Sequence, residues 1–146
     1  YDKILYDDAE HINIASLAGH MPGSAGHTLY AASKAWLIKF SQSLALENRA
    51  RGIHVTAVCP GFTYSEFHDV NGARGIVSKL PKWMWMQADE VVRQGVDAAL
   101  RGDVVYVNGK VNRLIKFIGK HLPDGLALRL MAKRSKDYRV QDADLR

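Results

Sequence analysis

Ile53-His54-Val55-Thr56-Ala57-Val58-Cys59-Pro60-Gly61 is a short apolar run, β-branched at Ile53, Val55, Thr56 and Val58 and closed by a proline and a glycine. Branched side chains fit a pleated strand better than a helix. Pro-Gly cannot continue a ladder, so the run predicts a strand over Ile53–Cys59. Gly52, just before it, is a helix stop signal. Upstream of that stop, apolar residues recur at helical spacing through Leu37, Phe40 and Leu44. They predict a helix from about Leu29 to Arg51, with Thr28 as its cap. Further upstream lie a loop of small residues from Gly19 to His27 and a short strand over His11–Ala15, with Ile12 and Ile14 on one face. Downstream, Phe62 to about Met86 has little periodicity. A second helix is expected over Ala88–Leu100 and a last strand over Val104–Val107, closed by Asn108-Gly109. Strand, helix, strand, helix, strand implies parallel pairing through right-handed crossovers, half of a doubly wound α/β sheet. From Val111 on, basic and apolar residues mix in one or two helices, and the tail after Arg134 is polar.

Size and charge bound the alternatives. At 146 residues, 47% of them hydrophobic, the chain is one domain at most and has enough apolar side chains for a core. No run reaches the roughly 18 apolar residues of a spanning helix. A single cysteine, Cys59, excludes an internal disulfide framework, and a cytoplasmic location is expected. The net charge of +5 is concentrated between Lys110 and Lys136. That excess suits an anionic cofactor, a membrane surface or a nucleic acid and does not select among them; no nucleic-acid partner is expected. The stretch reads either as a solvated helix face or as a membrane-surface helix, the latter because basic amphipathic helices favour anionic interfaces.

Tyr30-Ala31-Ala32-Ser33-Lys34 carries the chemistry. Residues four apart share a helix face, and an ammonium beside a phenol favours the phenolate, which suits acid/base work near neutrality. Ser16 lies fourteen residues before Tyr30, just past a strand end, where open α/β sheets place ligands. Each has a plainer reading: an interior tyrosine, a solvated lysine, a loop serine satisfying backbone groups.

The surroundings narrow the choice. Asn13-Ile14-Ala15-Ser16-Leu17-Ala18-Gly19, Tyr30-Ala31-Ala32-Ser33-Lys34-Ala35, Phe40-Ser41-Gln42-Ser43-Leu44-Ala45-Leu46-Glu47 and Val55-Thr56-Ala57-Val58-Cys59-Pro60-Gly61 follow one another in order. The set resembles the short-chain dehydrogenase/reductase family, most specifically from Ile12 to Phe67 and more loosely to Pro123. The resemblance implies the C-terminal half of a Rossmann-type sheet and an oxidoreductase using NAD or NADP on a secondary alcohol or ketone. It implies that Tyr30 takes the hydroxyl proton as hydride leaves the carbinol carbon, that Lys34 also holds the nicotinamide ribose, and that Ser16 bonds the substrate oxygen. Pro60 and Gly61 would lie against the nicotinamide, and Phe62, Thr63 and Ser65 would contact its carboxamide. The upstream asparagine that completes the family's set has no counterpart here; Asn13 is a strand residue and not that asparagine.

Other residues are weighed against structural roles. His20, His27 and Phe67 flank the expected pocket as substrate-lining candidates. Trp83, Met84, Trp85 and Met86 read as an apolar substrate wall or as a core or lid contact. Gly19, Gly23 and Gly26 follow a strand and precede a helix, as phosphate loops do, but a flexible substrate-facing loop is the favoured reading. The histidines show no metal-ligand spacing, and Cys59 reads as a buried small hydrophobe.

The chain is therefore expected to divide into an unassigned segment (1–10), a partial dinucleotide-type domain (11–109) and a basic helical extension (110–146). The family's glycine fingerprint for the cofactor pyrophosphate, T-G-x-x-x-G-x-G, is absent from these residues. The 146 residues alone are accordingly expected neither to bind NAD(P)H tightly nor to reduce a carbonyl. The Tyr-Lys helix of the family packs across a dimer interface, which implies a homo-oligomer. Two rival readings stand beside the enzyme: an inactive fragment acting by association with a partner chain, and a peripheral membrane module built on 110–136.

Overall fold

β2 (His54–Cys59) is the strand around which everything else is arranged. It pairs in parallel with β1 (Glu10–Ile14) on one side, in a register that sets Ile14 opposite Val58. On the other side it pairs with β5 (Val105–Val107), with Cys59 opposite Val107. The computed structural model describes residues 10–25, 28–64 and 81–143, with side chains as far as Lys133. Ser65, Phe67, His27 and Gly26, singled out in the sequence, lie outside the described residues, as do residues 1–9 of the unassigned segment.

Side chains alternate across a strand, and the two faces of β2 show which helix covers which. Ala57 and Cys59 pack in one cluster with Ala15, Leu17, Val107 and Ile38 of α1 (Thr28–Asn48). Val58 faces the other way, where its methyl groups lie 3.0 and 3.3 Å from where a Cβ on Gly95 of α2 (Ala88–Leu100) would stand. The parallel strand is thus covered on both faces, which explains a run with almost no polar alternation. From Val55 to Cys59 every residue is buried. Thr56 satisfies its hydroxyl on the Asp103 carbonyl at 2.7 Å. The α/β class and the parallel pairing expected from the sequence are both observed.

α1 corrects the expected stripe. Ile38 and Ser41 are its buried residues, and Leu37 packs beside them. Phe40 is exposed and stacks on exposed Trp36, with ring centroids 5.1 Å apart. The seam that meets the sheet is polar at its centre: Asn13 of β1 donates to Ser41 Oγ at 3.0 Å, and that hydroxyl donates to the Leu37 carbonyl at 2.7 Å. An apolar count cannot find a seam of this kind. Thr28 is the helix's first residue rather than its cap, and the last turn tightens into a 3-10 segment over Arg49–Arg51, ended by Gly52 at φ 72°.

The stretch expected to be loop holds a second, two-stranded parallel sheet. β3 (Phe62–Tyr64) pairs with β4 (Trp85–Gln87), setting Phe62 opposite Trp85 and Tyr64 opposite Gln87. After β5 come α3 (Lys110–His121) and α4 (Asp124–Ala143). Among the described residues no helix is long and apolar enough to cross a membrane.

Candidate active site at the carboxyl ends of the strands

Because β1, β2 and β5 run parallel, their carboxyl ends lie on one rim, and the backbone ties that rim together. Ala15 donates to the Val58 carbonyl and Leu17 to the Pro60 carbonyl, both at 2.8 Å, while Asn108 donates to Cys59 at 3.4 Å. Residues far apart in the sequence, Ser16, Pro60-Gly61 and Asn108-Gly109, thereby share an edge of the kind where α/β sheets bind ligands.

Ser16 is nearly buried and caps a 3-10 turn over Leu17–His20; its Oγ accepts from the Ala18 N–H at 3.2 Å. The structural role weighed for it is therefore real. It leaves the hydroxyl proton and a lone pair for another partner. The turn sits on α1 with unusual closeness. A Cβ on Gly19 would stand 2.7 Å from the Lys34 carbonyl carbon and 2.8 Å from the Ala35 nitrogen. Gly19 thus has a packing reason that the phosphate-loop reading lacked, while a Cβ on Gly23 would meet nothing.

That contact fixes Lys34 against the rim. Its Nζ donates to the carbonyl of Ile14, the last residue of β1, at 2.9 Å, and lies 5.8 Å from the centroid of the Tyr30 ring. An ammonium has three donors, so one such bond leaves two for a ligand. Lys34 and Ser16 thus lie at the carboxyl end of β1, placed there by a single helix and a single turn, with the Tyr30 ring 5.8 Å from the Lys34 ammonium.

The Pro60-Gly61 turn is held from the C-terminal side by residues that sequence reasoning missed. Asn112 of α3, almost wholly buried, lies where a side chain on Gly61 would have to go: a Cβ there would come within 2.5 Å of its amide nitrogen. The same amide donates to the Asn108 carbonyl at 2.8 Å. Asn108 is fully buried and donates to the Val91 carbonyl at 3.1 Å, while its Oδ1 finds no partner among the described residues. Gln94 accepts from the Gly109 N–H at 3.3 Å. The signal available was the Asn-Gly pair, which reads as a strand terminator; its link to Gly61 is visible only in three dimensions.

The remaining candidates fall in different places. Thr63 donates to the Gly61 carbonyl at 3.2 Å, which leaves its oxygen as an acceptor beside the turn. Phe62 and Tyr64 of β3 flank Trp85 of β4, at 5.6 and 4.9 Å between centroids. Trp85 therefore does packing work here, whereas Trp83 in the preceding 3-10 turn is 67% exposed and does not join that cluster. The side chain of Met86 reaches Gly109 rather than the aromatic group. His20 is half-buried. Its Nε2 is buried without a partner among the described residues, and burial, reinforced by Lys116, Lys39 and Lys120, pulls its pKa down to about 4. Burial pushes the Cys59 thiol up to about 11, which makes it a poor nucleophile. Among the described residues no group of three or more His, Cys, Asp or Glu could hold a metal ion.

Residues 7–74 match the family model for short chain dehydrogenases. The 3-oxoacyl-(acyl-carrier-protein) reductase FabG of Haemophilus influenzae is 36% identical over 107 residues, which cover 67% of this chain and 44% of that protein. The chain thus spans under half the length of the curated relatives it matches. Among solved structures, a short-chain dehydrogenase from Sphingobium yanoikuyae in complex with NADPH is 32% identical with a TM-score of 0.57, covering 83% of this chain and 44% of that one. A 7beta-hydroxysteroid dehydrogenase, 20% identical with a TM-score of 0.64 over 83% of this chain and 46% of its own, shares the fold.

Proposed function

The matched model and the relatives support membership of the short-chain dehydrogenase/reductase family, and on that premise we propose that these residues carry the proton-transfer half of an NAD(P)-dependent oxidoreductase acting on a secondary alcohol or ketone. The observation that carries the reading is the placement of Lys34, bonded to the last carbonyl of β1 and set beside the Tyr30 ring, on the same rim as Ser16.

The residues present fit the nicotinamide end of such a cofactor. Lys34 keeps two N–H groups for hydroxyl oxygens, and Thr63 keeps an acceptor next to Gly61. When bound, the cofactor supplies or accepts hydride. The chain's own part is to hold the substrate oxygen through Ser16 and to move its proton through the Tyr30 hydroxyl. Lys34 keeps positive charge beside that phenol, so negative charge developing there is stabilised. The aromatic group of Phe62, Tyr64 and Trp85 next to the Pro60-Gly61 turn favours an apolar carbonyl substrate, since apolar burial is worth about 25 cal/mol per Å². We also infer a homo-oligomer formed through the outer face of α1, where Trp36 and Phe40 stack in the open. Light scattering on Trp36→Glu tests that part.

The redox reading is tested by nicotinamide-dependent reduction of a ketone panel by the natural full-length product. Turnover should favour lipophilic ketones over small keto-carboxylates, and Tyr30→Phe should lower it by about 10²–10⁴-fold. Near-normal turnover by Tyr30→Phe would sink the assignment.

A further inference from the structure

α3 shows its apolar side to the outside. Asn112 and Ile115 face inward, and Gly119 lies against the Met21 side chain. The opposite face carries Leu114, Phe117 and Ile118, each more than half exposed, with Val111 one turn earlier. A surface helix of a globular protein normally does the reverse. α4 continues the pattern: Ala127 is its buried contact, and Leu128 and Leu130 stand more than half exposed.

Charge says what this face meets. From Lys110 to Lys133 the basic residues are Lys110, Arg113, Lys116, Lys120, Arg129 and Lys133, and the sole acidic residue is Asp124, a balance of six against one. α3 itself has no acidic residue. A second copy docking face to face would bring two such surfaces together at a Coulombic penalty. A layer of anionic headgroups over hydrocarbon satisfies both components at once, because apolar side chains enter the acyl boundary while lysine and arginine stay among phosphates.

We propose that α3 and the first turns of α4 form a docking face for an anionic lipid bilayer, on which α3 lies in the interface plane without crossing it. The proposal is independent of the redox chemistry at the rim.

Co-sedimentation of the chain with vesicles of phosphatidylcholine, alone or mixed with phosphatidylglycerol, tests it. The chain should pellet with the mixed vesicles and not with the neutral ones, at about 0.1 M salt where screening is still incomplete. Leu114→Ser with Phe117→Ser leaves the charge unchanged and replaces side chains that already face solvent; partitioning should fall at least about ten-fold. Lys120→Gln with Lys133→Gln reads the same face without touching its apolar groups and should weaken binding by about five-fold per charge. Failure to bind mixed vesicles overturns the proposal. An unchanged partition of the serine variant also overturns it, since net charge alone would then explain the attraction. Self-association in the absence of lipid that the serine variant abolishes would assign the face to a second copy instead.

Discussion

The rim of the sheet and the outer face of α3 both invert the usual distribution of side chains, in opposite senses. At the rim, polar groups are inside: Asn108 and Asn112 are buried, and Ser16 nearly so. On α3, large apolar groups are outside. Buried polar groups and exposed apolar patches are the two departures that carry information, and each points to a different kind of partner. The rim holds its polar groups with backbone and amide hydrogen bonds of 2.8–3.4 Å, which tie its turns together before any ligand arrives. The helix is held through Asn112, Ile115 and Gly119, with Arg113 over the Tyr106 ring, so the apolar groups on its outward face are available to a surface rather than to a pocket.

The sharpest way to break this contrast is to remove the group proposed to transfer the proton at the rim. In the natural full-length product Tyr30→Phe keeps the ring against Lys34 and deletes the proton. Activity should drop by about 10²–10⁴-fold, as expected for a lost general acid/base, with little change in melting temperature. A comparable loss of stability would show that the hydroxyl is structural.

Gly19→Ala tests whether the rim is as tightly built as the contacts imply. A Cβ there would meet the backbone of Lys34 and Ala35, which cannot swing aside. The Ser16–His20 turn would have to lift off α1, at a cost near the top of the roughly 1–3 kcal/mol range for overpacking. Denaturant unfolding would measure it, and an unchanged midpoint would mean the turn is loose. Gly61→Ala should cost less, about 2 kcal/mol, because the obstacle is the Asn112 amide, a side chain that can move by giving up its bond to Asn108. Combining Gly61→Ala with Asn112→Ala should restore part of that loss. Strict additivity of the two changes would show that Asn112 does not buttress the turn.

How far the sequence could be read follows the same division. The parallel pairing of β1, β2 and β5 was legible because β2 is a continuous apolar run between glycine and proline signals, and because α2, at 13 residues, is long enough for its period to show. The pair β3 and β4 was not, since three residues give one alternation and no period to detect. Tyr30, Lys34 and Ser16 were legible as candidates from motif order. Asn112 was not, because its role depends on a glycine 51 residues earlier in the chain (112 minus 61) and appears only once α3 packs on the turn. Phe40 was misplaced because a hydroxyl and an amide, Ser41 and Asn13, occupy the seam where an apolar residue was expected.

His20 supplies the smallest effect and tests the ground between the two regions, since it belongs to the rim's turn and faces the lysines of α3. Its ring is kept neutral first by burial and then by Lys116, Lys39 and Lys120, with the pKa lowered from 6.5 to about 4. The folded chain therefore binds this proton more weakly than the unfolded chain does. Above about pH 6.5 both states are neutral at this site and it makes no difference to stability. As pH falls from about 6.5 to 4 the unfolded state takes up the proton first, so stability is lost across that window and levels off below it. Because the residue keeps some contact with water, the loss should be about 1–2 kcal/mol rather than the full conversion of the displacement. His20→Leu removes the titration and fills the site with an apolar group. Its stability should fall less steeply than that of the parent chain between pH 6.5 and 4 and run parallel to it above pH 7. Identical slopes in the acid window would show that His20 takes up its proton as readily in the fold as out of it, and that the turn and α3 are not packed together as described.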